Sequence, residues 1–364
     1  MIGDGYARRQ ELMEALSSPG GPLHVDASRA TVKNPSWWSQ RLALPLPGRA
    51  RLLSTLSEEV IDAHQPDPTM GRGTSLVAVA VAGPPGAGKT SVVERELTAL
   101  SKASTSFIAV DADVFKTRLL QEAIADGSYE SWLKSPELRA AETFLGEELA
   151  PLELASLVHE ESSFLATRTQ RTALAAGRNV VLDKVLGSYD SARPTFQQLA
   201  AANYEVWLID VEVPAELSRQ RTRMRWAAGV EEFRSGESHL GGRWVPSAVT
   251  GPLFPPELGG RSRSQQVAER LAQEFSNVTV FKRYYTSLDV DEQARRAGQF
   301  AQPVIEKDER RPSVGAGLSP APQSDHDRAA RDRISRHAAA GRARPPERSP
   351  APRQESSGRS HERT

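Results

Sequence analysis

The chain has no cysteine. Disulfides and thiolate metal sites are therefore excluded, and a reducing compartment fits without being required. No sign of charge is in excess, because 46 Lys and Arg offset 46 Asp and Glu. That balance argues against nucleic acid or anionic lipid as the main partner. No apolar run approaches the roughly 20 residues of a membrane span. The opening stretch, MIGDGYARRQELMEAL, also lacks the apolar centre of a signal peptide. These absences lead to the expectation of a soluble, cytoplasmic protein with no membrane partner. Aromatics are sparse, and the adjacent Trp37 and Trp38 read as anchors packed on the body rather than as a ligand platform.

A length of 364 residues means one large domain or two. Residues 1–48 form an N-terminal extension, in which RRQELMEALSS has the makings of a short helix. Leu52, Leu53, Leu56, Val60 and Ile61 recur at helical spacing and predict one amphipathic helix from Arg49 to His64. A Pro/Gly linker, QPDPTMGRG, follows. From about 75 to 285, apolar strands at 75–82, 106–111, 178–183, 204–212 and 277–282 alternate with helical stretches at 89–101, 137–149, 152–176, 190–202, 214–227 and 264–275. Such alternation predicts a parallel sheet covered on both faces, with strands that are near-continuous apolar runs. The folded domain is expected over 49–295. Residues 296–364, rich in Arg, Pro and Ser, are expected to be a disordered tail that cannot bury enough apolar surface to order itself.

VAVAVAGPPGAGKT contains G-x-x-x-x-G-K-[ST], between a predicted strand and a predicted helix. The loop Gly83, Pro84, Pro85, Gly86, Ala87, Gly88, Lys89, Thr90 and Ser91 is the expected nucleotide cradle. Its glycines turn backbone N–H groups toward a polyphosphate, and the following helix adds the positive end of its dipole. Lys89 is expected on the β- and γ-phosphates, and the Thr90 hydroxyl on Mg²⁺.

Carboxylates come next. FIAVDADVFK puts Asp111 and Asp113 at the carboxyl end of a strand expected beside the P-loop strand, where open α/β sheets bind ligands. Asp113 is the candidate base for an acceptor hydroxyl. Asp111 is either a cap for the helix that Phe115 and Lys116 begin, or a substrate contact. Asp183 ends the third strand and suits either water-mediated Mg²⁺ or a substrate hydroxyl.

The stretch VPAELSRQRTRMRW sets Arg221 and Arg225 four apart on one helix face, with Arg219 and Arg223 on the other. They read as a phosphate-clamping lid or as a solvated basic helix. Arg243 sits between glycines and a Trp in GGRWVP, as in a mobile lid element. His159 and Ser163 begin a long helix, where they either line a hydroxyl-rich substrate pocket or are merely structural.

In order and spacing these residues resemble the zeta toxin family over roughly residues 50–285. The family phosphorylates a hydroxyl on the amino sugar of UDP-N-acetylglucosamine. The resemblance implies an α/β, P-loop kinase-like three-layer sandwich with a mostly parallel five-stranded sheet. It implies ATP and Mg²⁺ on Lys89 and Thr90, Asp113 as base, and Arg225 and Arg243 as charge-stabilising arginines. It also implies toxin activity held down by an antitoxin, usually a separate helical protein over the nucleotide site; the extra helical, Trp-bearing segment 1–48 offers the alternative of a plug acting in cis. Two departures stand out. The acid-Gly-Thr run expected after the third strand reads Asp183-Lys184-Val185, and Gly187 stands near where the family carries an Arg. Another hydroxyl acceptor (antibiotic, nucleoside or polynucleotide end) is the alternative. A catalytically weak nucleotide-binding interaction protein is a third reading.

Overall fold

The computed structural model describes residues 4–64, 76–99, 106–299 and 301–311. The linker expected at 65–73 and the tail beyond 311 lie outside the described residues. The chain opens with α1 (Asp4–Leu16), a two-strand ribbon of β1 (Trp38–Ser39) and β2 (Leu44–Pro45), and α2 (Pro47–Asp62). Strand and helix then alternate: β3 (Leu76–Ala82), α3 (Lys89–Ala99), β4 (Ile108–Asp111), α4 (Ala112–Ala125), α5 (Pro136–Leu145), α6 (His159–Ala175), β5 (Val180–Asp183), α7 (Tyr189–Ala201), β6 (Tyr204–Glu212) and α8 (Ala215–Arg234). A short α9 (Ser247–Thr250), α10 (Arg263–Glu274), β7 (Val278–Tyr285), α11 (Leu288–Arg296) and β8 (Val304–Arg310) complete it.

The main sheet runs β4-β5-β3-β6-β7-β8. It is parallel except for the antiparallel β7–β8 pair. Alternation along β3 builds two cores. Val77, Val79 and Val81 face Val92 and Leu97 of α3 and Leu217 of α8. Ala78, Ala80 and Ala82 face the other way, toward the core formed with Phe196 and Leu199 of α7 and Val267 and Leu271 of α10. Both faces are thus covered, which gives the three layers.

Three expectations are corrected. First, the sheet has six strands, not five. The sixth, VIEKDER, lies past residue 295 and is mostly exposed. An edge strand needs only backbone pairing and is commonly charged, so its sequence carries no apolar signal. Second, β4 is not beside the P-loop strand. β5 lies between them, with Asp111 opposite Asp183 and Val81 opposite Asp183. Order along the chain does not fix order across a sheet joined by crossovers. Third, the helix expected at 152–176 starts as a 3₁₀ turn over Pro151–Val158 before α6. Buried Glu153 reaches back to accept a hydrogen bond from Ala150 N at 2.7 Å.

A third core lies beside the sheet. It joins Met13, Leu23 and Trp38 of the N-terminal segment to Leu53, Phe115, Leu119, Leu154, Leu165, Trp226, Val230 and Trp244. Trp38 is edge-on to Phe164, and Trp37 is edge-on to Trp132 under the Arg49 guanidinium, so the pair is packing. The N-terminal segment is therefore part of the body. Among the described residues its contacts run to α5, α6, α8 and the 238–250 loop rather than to the P-loop, so it is not seen as the expected plug.

Candidate active site

The phosphate wall is local. β3 ends at Ala82, the loop turns through Gly83, Gly86 and Gly88, all at positive φ, and α3 begins at Lys89. Gly83 is also required by contact, since a Cβ there would lie 2.1 Å from Val211 O on the neighbouring strand. Ala87 is buried, whereas Thr90 and Ser91 are exposed at the start of α3. Lys89 Nζ donates to Gly83 O (3.2 Å) and Pro84 O (3.5 Å) and lies 3.7 Å from Asp183 Oδ1. The loop is held from outside by α8. Ser218 Oγ donates to Pro85 O at 2.7 Å, and Arg221 Nη1 donates to Gly86 O at 3.2 Å.

Arg221, expected at the substrate, thus reaches the P-loop backbone instead. Buried Asp291 of α11 fixes it, accepting from Arg221 Nη2 at 2.7 Å and from Nε at 3.1 Å, while Arg295 occupies the other oxygen at 2.8 Å. Nothing in the α11 sequence distinguishes Asp291 from its acidic neighbours.

The facing wall is assembled from distant segments. Asp111 caps α4 by accepting from Asp113 N at 2.8 Å. Burial, together with the charges of Asp113 and Asp183, pushes its pKa up to about 6. Burial also pushes Asp113 up, but Arg243, Lys116 and Lys89 outweigh it, so its pKa lies below the usual range. Asp113 is ion-paired to Arg243 and, at 3.0 Å, to Lys116 Nζ one helical turn on. Burial raises the Asp183 pKa, with Lys89 acting against it.

Arg225 makes no hydrogen bond or ion pair to the described residues. Its surroundings and the nearby Arg243 charge lower its pKa, while Asp113 and Asp183 act the other way. Arg243 and Arg225 therefore share one charged neighbourhood with both acids. His159 opens α6, and burial followed by the Lys116 charge lowers its pKa. Ser163 sits one turn later, partly buried, with no side-chain bond to the acids among the described residues. Glu161 beside them is structural, paired with Arg49 at 2.6 and 2.8 Å. Arg219 and Arg223 line a separate groove with Tyr6 and Met224, away from the P-loop.

The GGRWVP loop differs from its expected mobile character. Gly242 is pressed onto α8, and a Cβ there would lie 2.1 Å from Trp226 O. Here glycine serves close packing rather than motion.

Lys89, Lys116, Arg225 and Arg243 surround Asp111, Asp113 and Asp183 at the carboxyl edge of the sheet. The cations suit a polyphosphate. Among the described residues no three His, Asp or Glu side chains are placed to hold a metal by themselves. In nucleotide sites Mg²⁺ keeps one or two protein ligands and completes its shell from phosphates and water. The exposed Thr90 hydroxyl at the head of α3 is available for that role. No described helix is long and apolar enough to cross a membrane.

Fold and site together define an α/β protein with a P-loop at the carboxyl edge of a mostly parallel sheet. One step narrower, the model of the zeta toxin family matches residues 136–293. The match starts at α5, so the P-loop and the D-x-D acids lie ahead of it. Among solved structures the chain is similar to AvrRxo1-ORF1 in complex with ORF2 and sulphate. That likeness has 18% identity, 78% of this chain and 73% of that one covered, and a TM-score of 0.45. The same pair solved with ATP is similar at 18% identity, 72% and 68% coverage and a TM-score of 0.43. The PezAT toxin–antitoxin system of Streptococcus pneumoniae is similar at 14% identity, 79% and 94% coverage and a TM-score of 0.41. No curated protein sequence matches the chain.

Proposed function

We propose that the protein is an ATP-dependent small-molecule kinase that phosphorylates a hydroxyl of UDP-N-acetylglucosamine, as the toxin of a toxin–antitoxin pair. The observation that carries this is the ion pair of Asp113 with Arg243, within electrostatic reach of P-loop Lys89. A carboxylate kept ionised beside the phosphate cradle is what an acceptor hydroxyl requires.

In this reading the P-loop amides and Lys89 hold the β- and γ-phosphates of ATP. A magnesium ion bound with the nucleotide would neutralise phosphate charge, with Thr90 as its protein ligand. Asp113 takes the hydroxyl proton as that oxygen bonds the γ-phosphorus. The bond from the γ-phosphorus to the β–γ bridging oxygen breaks, and ADP leaves. Arg225 and Arg243 stabilise the charge that spreads over the transferring group. Asp183 and His159 orient the acceptor.

A second reading, transfer to a different hydroxyl compound, is favoured by the segment after β5. Leu186 holds a positive φ of 51°, and a Cβ at Gly187 would lie 2.8 Å from Leu253 Cδ2. A side chain at Gly187, near where the family carries an arginine, would have to displace the end of the Leu253 side chain. Incubation with Mg·ATP and a panel of sugar nucleotides, nucleosides and aminoglycosides, read by mass, separates the readings. Asp113→Asn should lower transfer about 10²–10⁴-fold while ATP still binds. Retention of full activity in that variant removes Asp113 as base.

A further inference from the structure

The N-terminal segment is tied to the loop that carries Arg243. Arg9 of α1 is fully buried. It donates Nε to Glu153 Oε1 at 2.9 Å, pairs Nη2 with Glu153 Oε2, donates to Glu148 O at 2.9 Å, and sets Nη1 2.7 Å from Glu147. Glu153 Oε1 also accepts from Trp226 Nε1 at 2.9 Å. Trp226 lies edge-on between Tyr6 of α1 (6.3 Å) and Trp244 (5.0 Å), the residue after Arg243. Two direct tethers complete the contact. Trp244 Nε1 donates to Ser17 Oγ at 3.1 Å, and Ser247 N donates to Glu14 Oε1 at 2.9 Å.

We infer that α1 and Ser17 act as a positioning device that holds Arg243 against Asp113, with Arg9, Glu14 and Ser17 as positioning residues. This rests on the kinase reading for its catalytic consequence only. The physical argument is one of mobility. Arg243 projects from a loop of irregular backbone, and a long side chain on such a loop has many places to go. Packing Gly242 onto α8 fixes one side of the loop, and α1 fixes the other. An arginine fixed before the reaction stabilises developing charge without first being ordered. The segment is therefore a required part of the site, and removing it should cost activity rather than release it.

The test uses the full chain and the double variant Glu14→Ala/Ser17→Ala, which cuts both tethers and leaves the buried Arg9 pairs intact. Hydrogen exchange should quicken at residues 241–248 and stay unchanged at 83–91. Calorimetry should give the same Mg·ATP affinity as wild type. Transfer should fall about 10- to 100-fold in kcat. In an Arg243→Ala background the same double change should have no further effect, because a device that acts through Arg243 is silent without it. Unchanged exchange at 241–248, or an equal loss of kcat in the Arg243→Ala background, overturns the inference. If wild type phosphorylates nothing in the panel, the kinase reading fails on its own, and the exchange measurement still decides whether α1 holds the loop. Arg9→Met is a stronger version of the change. Should it not fold, the double variant carries the test.

Discussion

The two walls of the site are built in opposite ways. The phosphate wall is a single stretch, Gly83 to Ser91, shaped by its own glycines and by the strand and helix at its ends. The facing wall draws Asp111 and Asp113 from the β4–α4 junction, His159 from α6, Asp183 from β5, Arg225 from α8 and Arg243 from the following loop. The first needs only local backbone chemistry. The second exists because a helical core of Trp, Leu and Phe residues brings those segments to one edge of the sheet. Chemistry is therefore expected to fail sharply when the first wall is cut, and by degrees when the support of the second is loosened.

The largest effect should come from Lys89→Ala. It removes the cation of the cradle while leaving the fold, since among the described residues Lys89 is tied to loop carbonyls and Asp183. Transfer should drop by about 10²–10³-fold or more, measured by phosphate release or product mass at saturating ATP. Wild-type turnover in this variant would separate the loop from the chemistry. Gly242→Ala should act next, and through position. The added methyl meets Trp226 O, so the loop must move, at a stability cost of about 1–3 kcal/mol. Denaturant unfolding and kcat should both fall. Gly251→Ala, where a Cβ meets nothing within 4 Å, should change neither. Equal behaviour of the two variants would show that the close contact has no role.

A last test concerns a polar cluster on β6. Asp210 and Glu212 are buried on β6, with Arg283 Nε on Asp210 at 2.7 Å and Ser262 Oγ on Glu212 at 2.9 Å. Burial and the Asp210 charge push the Glu212 pKa up to about 10, from 4.5 unfolded. Between those values the folded chain holds a proton that the unfolded chain has released, so stability falls as pH rises. Glu212→Gln keeps a donor and has no proton to lose. Its unfolding free energy relative to wild type should therefore grow from pH 6 to pH 9, with a slope no steeper than ~1.4 kcal/mol per pH unit. A flat difference across that range would mean Glu212 is ionised in the fold.

Read from the residues alone, the five parallel strands, the P-loop and the two edge acids were legible because each is a local pattern. An apolar run buried on both faces, a glycine turn and a carboxylate at a strand end all show in a short window. β8 was not legible, since pairing at an edge leaves no apolar trace. Nor was the role of Arg221, whose spacing suggested the substrate but whose fork is claimed by Asp291, seventy residues further on. The glycines around Arg243 looked like a hinge because sequence cannot distinguish a glycine that frees the backbone from one that lets two backbones touch.

What the sequence by itself determined is the cradle. Backbone torsions, a dipole and a lysine are specified within nine consecutive residues, and no distant part of the chain is needed to write them. What only the tertiary structure decided is the neighbour order of β4 and β5, and the meeting of Arg243 with Asp113. Those depend on which surfaces bury against which, and burial is settled by the whole set of apolar side chains at once rather than by any window of them.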